Sequence, residues 1–122
     1  MASTPWDISA YYHSGLLTTN NTHIFLIRGS NTQDFGVYNP QTNSWSILSS
    51  TLSPMGNGAS ILSNGTHIFA IRGGNTRDFW RYNIATNSWE ILSSTPSEVY
   101  DGGAITTDGT YIYALQGKNT QN

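Results

Sequence analysis

Short apolar runs, each closed by turn-forming residues, recur along this chain. Between Ala59 and Leu92 four follow one another: Ala59 to Leu62, His67 to Ile71, Phe79 to Tyr82 and Trp89 to Leu92. Ser63-Asn64-Gly65-Thr66, then Arg72-Gly73-Gly74, then Asn83 to Ser88 stand between them. Runs of this kind with such separators are strands joined by turns, and four in succession make an antiparallel meander. The Asn64-Gly65 pair suits a type I′ hairpin turn, in which both central residues take positive φ. Ile68-Phe69-Ala70-Ile71 is apolar on both faces, so its sheet needs cover on both sides. No segment shows a 3.6-residue period with caps, and no helix is expected.

The pattern repeats. His23 to Thr66 and His67 to Thr110 align without gaps at an offset of 44 residues, with 26 of 44 positions identical. A third copy starts at Tyr111 with Tyr111-Ile112-Tyr113-Ala114-Leu115 and reads as far as Asn122, while Ser14 to Thr22 fits the end of a preceding unit. The expected strands are 15–19, 23–28, 34–38, 44–48, 59–63, 67–72, 78–82, 88–92, 103–107 and 111–116. Identical four-stranded sheets can cover one another when stacked radially. That arrangement is a β-propeller, and 44 residues per blade fits its usual period.

The residues inside the unit sharpen this reading. Gly73-Gly74 follows an apolar strand, Tyr82 comes eight residues later and Trp89 seven after that. The stretch from Tyr82 to Trp89 reads Tyr-Asn-Ile-Ala-Thr-Asn-Ser-Trp, and Tyr38 to Trp45 matches it. In these features the chain resembles the Kelch-type propeller repeats. It departs at the glycine doublet, with Gly29-Ser30 in the first copy and Gly117-Lys118 in the third. The resemblance implies an all-β fold of four-stranded antiparallel blades. Trp45 and Trp89 read as blade packing, each indole bonded to the next blade, and Tyr38 and Tyr82 read as core.

The expected organisation is a single propeller fragment over 1–122, with blade one at 14–53, blade two at 54–97 and a half blade at 98–122. Propellers have four to eight blades. The expectation is therefore an incomplete propeller in one chain, closed by homo-oligomerisation. Uncovered blade faces and an open edge at Tyr111 to Leu115 would drive that association. Pro5-Trp6-Asp7-Ile8 is similar to Ser88-Trp89-Glu90-Ile91, so residues 1–9 read as a candidate outer strand of a composite blade. The alternatives are that Trp6 belongs to a frayed tail or that the segment was cut from a longer ring. A dimer is preferred, since two chains give six blades and three give nine.

Composition narrows the function classes. Charged residues make up 10% of the 122, the net charge is −2, and Lys and Arg number five, too few for a basic nucleic-acid surface. Cysteine is absent, which removes disulfides, thiolate metal sites and cysteine nucleophiles. No apolar run approaches 18 residues, and Met1 to Asp7 has neither a basic nor an apolar leader region. The chain therefore reads as soluble, with no signal peptide, membrane segment or nucleic-acid partner, and no compartment follows.

Strand alternation places the loops after the second and fourth strand of each unit on one face. That face collects Arg28, Asn31 and Asp34 from the first unit, and Arg72, Asn75, Arg77 and Asp78 from the second, with Glu98, Tyr100 and Asp101 beside them. The third copy adds Gln116, Lys118, Asn119 and Thr120. Arg, Asn and Asp around an axial channel can hydrogen-bond a polyol or a carboxylate, with Tyr100 or Trp80 as an apolar platform. The competing reading is that these side chains only satisfy loop backbone and pair with one another.

His23 and His67 occupy equivalent positions and could form a metal ring, but no second ligand type repeats beside them, so they read as turn residues. His13 shows no partner in sequence. Asn20-Asn21-Thr22 and Asn64-Gly65-Thr66 match a glycosylation sequon, yet they share a repeat position with Asp108-Gly109-Thr110, which points to turn chemistry. No nucleophile elbow is present, and Glu98 with Asp101 is the one local pair of acids. The chain thus reads as no enzyme and without cofactor or metal. It is expected to be a binding module, lectin-like or protein-binding, whose partners are itself and a carbohydrate or protein ligand. The alternative is an engineered, reconstructed or excised fragment whose only property is assembly. Loop divergence bears on the choice: 23–53 and 67–97 agree at 22 of 31 positions, whereas 54–66 and 98–110 agree at 4 of 13.

Overall fold

The computed structural model describes residues 16–28, 32–56, 58–100 and 103–115. They form three antiparallel sheets. Sheet one comprises β1 (Leu16–Thr19), β2 (Ile24–Ile27), β3 (Phe35–Asn39) and β4 (Ser44–Ile47) in sequence order. Sheet two comprises β5 (Ser60–Ser63), β6 (His67–Ile71), β7 (Phe79–Asn83) and β8 (Ser88–Ile91) in the same order. Sheet three pairs β9 (Ala104–Thr107) with β10 (Ile112–Leu115). Every strand bound lies within one residue of expectation, and no helix occurs among the described residues. The register obeys the repeat: Leu16↔Ile27, Ser60↔Ile71 and Ala104↔Leu115 occupy equivalent places. The first strands β1, β5 and β9 lie beside one another, so the sheets stack face to face in chain order.

Between sheets one and two lies the main core. Phe35 of β3 is fully buried. Tyr82 of β7 meets it edge-on at 4.7 Å between ring centroids, and Trp89 of β8 at 5.1 Å. Trp80 is buried too and sits 6.4 Å from Trp89 in a T-shaped pair. Phe25, Ile27, Met55, Ile61, Ile68 and Ala70 complete the cluster. Fully burying one such aromatic or aliphatic side chain contributes about 1.5–3 kcal/mol, so this cluster dominates the adhesion of the two sheets.

The Tyr-to-Trp stretch of each unit has a local physical reason. Asn43 and Asn87 end their turns at φ of 51° and 52°, a left-handed conformation that Asn tolerates better than most residues. The Tyr38 hydroxyl donates to Asn43 Oδ1 at 2.7 Å, and the Tyr82 hydroxyl to Asn87 Oδ1 at 2.6 Å. Burial pushes the Tyr82 phenol up to about 12. The same Asn87 accepts the Ser49 backbone N–H at 3.0 Å, and its carbonyl accepts the Ser49 hydroxyl at 2.8 Å. One Asn therefore ties its own turn to the neighbouring sheet.

Two local expectations need correction. The Trp89 indole N–H donates to the Ser49 carbonyl at 3.0 Å, and Ser49 belongs to the preceding unit, not the next one. The hairpin at Asn64-Gly65 is not type I′. Asn64, Gly65 and Thr66 separate β5 from β6, and of the pair only Gly65 (φ 97°) is left-handed. Asn64 Oδ1 accepts the backbone N–H groups of Thr66 and His67 and so caps the turn without positive φ of its own. Asn20 and Asp108 do the same in the other copies. The sequon positions are thus occupied by turn chemistry. Each His lends its backbone N–H to that cap and sets ring Nδ1 2.9 Å from the preceding Thr hydroxyl. Trp6, His13 and the rest of 1–15 lie outside the described residues.

Candidate functional site

The loops after second and fourth strands do share a face, and backbone bonds lace them in series. The Met55 N–H donates to Thr32 O, the Gly56 N–H to Arg72 O, and the Asn75 N–H to Val99 O. Thr76 and Val99 form a bridge, closed by the Val99 N–H on Thr76 O at 2.8 Å. The glycine doublet has its reason here. Gly73 and Gly74 are both left-handed (φ 68° and 61°), and a Cβ on Gly56 would stand 2.6 Å from the Gly74 Cα. Backbone passes directly over backbone, which only glycines permit.

The expected site residues hold definite positions on this face. Arg28 Nη1 donates to Asp34 Oδ2 at 2.9 Å, and Arg72 Nη1 to Asp78 Oδ2 at 2.9 Å. Each pair clamps the two ends of its own loop, alongside a backbone bond between the same residues. The Arg72 Nε–H also donates to Pro54 O at 3.0 Å. The Arg77 Nε–H donates to Thr95 O at 2.7 Å, as Gln33 Nε2–H does to Thr51 O in the first unit. Asn75 stands at φ 62°, inside the turn. The Tyr100 hydroxyl donates to Glu98 Oε2, and this bond to the carboxylate holds the phenol above its ordinary range. The structure therefore brings Arg72, Asn75, Arg77 and Asp78 together in one loop with Tyr100 on its neighbour. Arg28 and Asp34 form the matching group one unit earlier. Asn31 and Asp101 lie outside the described residues, as do Gln116, Lys118, Asn119 and Thr120. Trp80 is not an apolar platform for a ligand: β7 turns it into the core between the sheets, where it is 3% exposed.

A second feature escaped the reading of the loops. An open cleft of about 230 Å³ lies between sheets two and three. Ile71 and Phe79 form one wall, Ile105, Ile112 and Ala114 the other, and residues 93–96 the rim. By the 44-residue offset, Phe79 corresponds to Phe35 and Ser93 to Ser49. On sheet one those positions are covered by Tyr82 and Trp89; on sheet two they line the cleft.

Comparison with known proteins fits this architecture. Residues 55–96 match the Kelch motif. A solved structure described as "Structure of YjhT" aligns over 84% of this chain at a TM-score of 0.72 and 20% identity, a likeness of fold. The alignment takes in 33% of that chain, so the present chain spans about a third of its length. No curated protein matches. A unit that folds as a four-stranded blade recurs here at a 44-residue offset, and its second copy carries a Kelch motif.

Proposed function

We propose that the chain is a non-enzymatic, self-assembling binding module. The Kelch propeller is typically a binding or protein-interaction fold, which sets the class. Recognition is assigned to the laced loop face, through Arg28, Asn31, Asp34, Arg72, Asn75, Arg77, Asp78, Tyr100 and Asp101. Its ligand is a carbohydrate or a protein segment that offers hydroxyl or carboxylate groups. Arg77 supports this reading: a guanidinium has five N–H donors, and the described side-chain bonds of this exposed residue use only Nε. Loop clamping and ligand binding are compatible, since a clamped Arg is already ordered and loses less entropy on binding.

The observation that carries self-assembly is the exposure of β10. Ile112, Tyr113 and Leu115 are all large apolar side chains open to water on a strand whose outer edge has no partner among the described residues. Covering them contributes about 25 cal/mol per Å² of apolar area. A second copy would supply that cover, and two copies, with the third sheet completed between them, bring six sheets together, inside the range of closed propellers. A second reading is favoured by the one-third coverage of the structural neighbour: the chain is then an excised, reconstructed or engineered segment of a ring, without a ligand.

Sedimentation equilibrium of residues 1–122 at micromolar concentration tests assembly, with the dimer mass expected and a monomer mass overturning it. A glycan and peptide array with the wild type and Arg77→Ala tests recognition. Binding lost in the variant supports the loop face. Binding retained by the variant moves the ligand elsewhere, and no binding by the wild type favours the second reading.

A further inference from the structure

The inter-sheet cleft is the outer half of an interface whose inner half is already formed. β9 packs against β5 and β6, as β5 packs against β1. Beyond these inner strands, sheets one and two continue in contact through Trp89, whose indole lies on Phe35 and donates to Ser49 O. Sheets two and three stop at Phe79. The Ser93 carbonyl, N–H and hydroxyl, which correspond to the three Ser49 groups that hold Trp89 and Asn87, engage no partner among the described residues. The cleft thus repeats the seat of Trp89 without an occupant from the described residues.

We infer that this cleft is a tryptophan receptor, and that its occupant is Trp6 of a second copy of the chain. The inference rests on the assembly reading and names its contact. Pro5-Trp6-Asp7-Ile8 matches Ser88-Trp89-Glu90-Ile91 in the Trp, the following acid and the Ile two residues on. The cleft walls are uncharged, and its rim of Ser and Thr offers the backbone carbonyls an indole N–H needs. Order along the row of sheets selects the second copy. Trp6 precedes β1 and sheet one, whereas the cleft lies beyond sheet two, at the opposite end of the row. A head-to-tail contact of two chains places one end against the other. In that contact the Trp6 indole N–H donates to Ser93 O, and Thr4, two residues before Trp6, takes the place that Asn87 holds against Ser49.

Because the chain has no cysteine, paired cysteines report this contact without background. The double variant Thr4→Cys/Ser93→Cys is oxidised and run on a non-reducing gel, beside each single variant. The expected product is a disulfide-linked species of two chains that neither single variant forms to a comparable extent. No cross-link would overturn the inference, and so would an intrachain disulfide, which would assign the cleft to the chain's own N-terminal segment. In parallel, sedimentation of Trp6→Ala should show assembly weakened about thirtyfold or more, the usual effect of removing an interface anchor. His13→Ala should assemble as the wild type does. A wild-type oligomer that Trp6→Ala leaves intact removes the tryptophan receptor and keeps self-assembly; a monomeric wild type removes both.

Discussion

Sheets two and three are built from the same unit and meet opposite fates. In β6, Ile68, Phe69 and Ile71 are 0%, 9% and 1% exposed; in β10, the equivalent Ile112, Tyr113 and Leu115 are 37%, 51% and 56% exposed. Pairing and register are alike. What differs is cover: β6 has β7 on its edge and a sheet on each side, whereas among the described residues β10 has neither a third strand nor a following sheet. A propeller strand is therefore apolar because of its neighbours, and where the described residues supply no neighbour the same positions stand open to water.

The sharpest way to break this comparison is a matched pair of truncations. Phe35→Ala removes a ring enclosed by two sheets and should cost about 3–5 kcal/mol in a denaturant titration. Phe79→Ala removes the equivalent ring at the open cleft and should cost roughly half as much in the monomer, since only part of its surface is withdrawn from water. Equal losses at low protein concentration would mean that sheet three already gives full cover. Trp89→Ala comes next, at about 3 kcal/mol, near the lower bound for such truncations because the indole is only half-buried. It should expose Phe35 and release the Ser49 carbonyl, so that sheet one comes to resemble sheet two. A loss below about 1 kcal/mol would show that the Trp seat contributes little to adhesion, and would weaken the tryptophan receptor with it.

Much of this was legible in the sequence, and for a definite reason. A gapless repeat samples each strand twice or more, so the periodicity located all ten strands to within a residue. The Arg-to-Asp spacing in 28–34 and 72–78 was readable in two ways, and the ion pairs Arg28–Asp34 and Arg72–Asp78 agree with the reading in which these side chains pair with one another. Three things stayed hidden. The turn at Asn64-Gly65 depends on whether the Asn backbone or its side chain does the capping, and both use the same letters. The direction of the Trp89 indole bond depends on the order of sheets around the axis, which a repeat does not encode. The cleft was hidden because it consists of missing contacts, and only comparison of Phe35 with Phe79 in three dimensions displays it.

The smallest expected effect concerns the β9–β10 turn, where Asp108 stands in place of the Asn20 and Asn64 of the other copies. Bonds from the Tyr111 and Thr110 backbone N–H groups and the Tyr113 hydroxyl hold its carboxyl below its ordinary value of 3.8. The folded turn therefore favours the carboxylate. Its contribution is fully present above about pH 4 and is lost as pH falls through the lower folded value. Asp108→Asn should keep the turn and remove this acid sensitivity, read from the Thr110 and Tyr111 amide shifts between pH 5 and 2. A turn that loosens identically in both proteins would assign the sensitivity to another group.

Hydrogen exchange as a function of protein concentration tests the central claim most directly, because it reads β6 and β10 in one sample. If a second copy covers sheet three, the amides of Ile112 to Leu115 should be protected at high concentration and lose that protection on dilution through the assembly range, while those of Ile68 to Ile71 stay protected throughout. Exchange at β10 that is equally fast at every concentration would contradict the account.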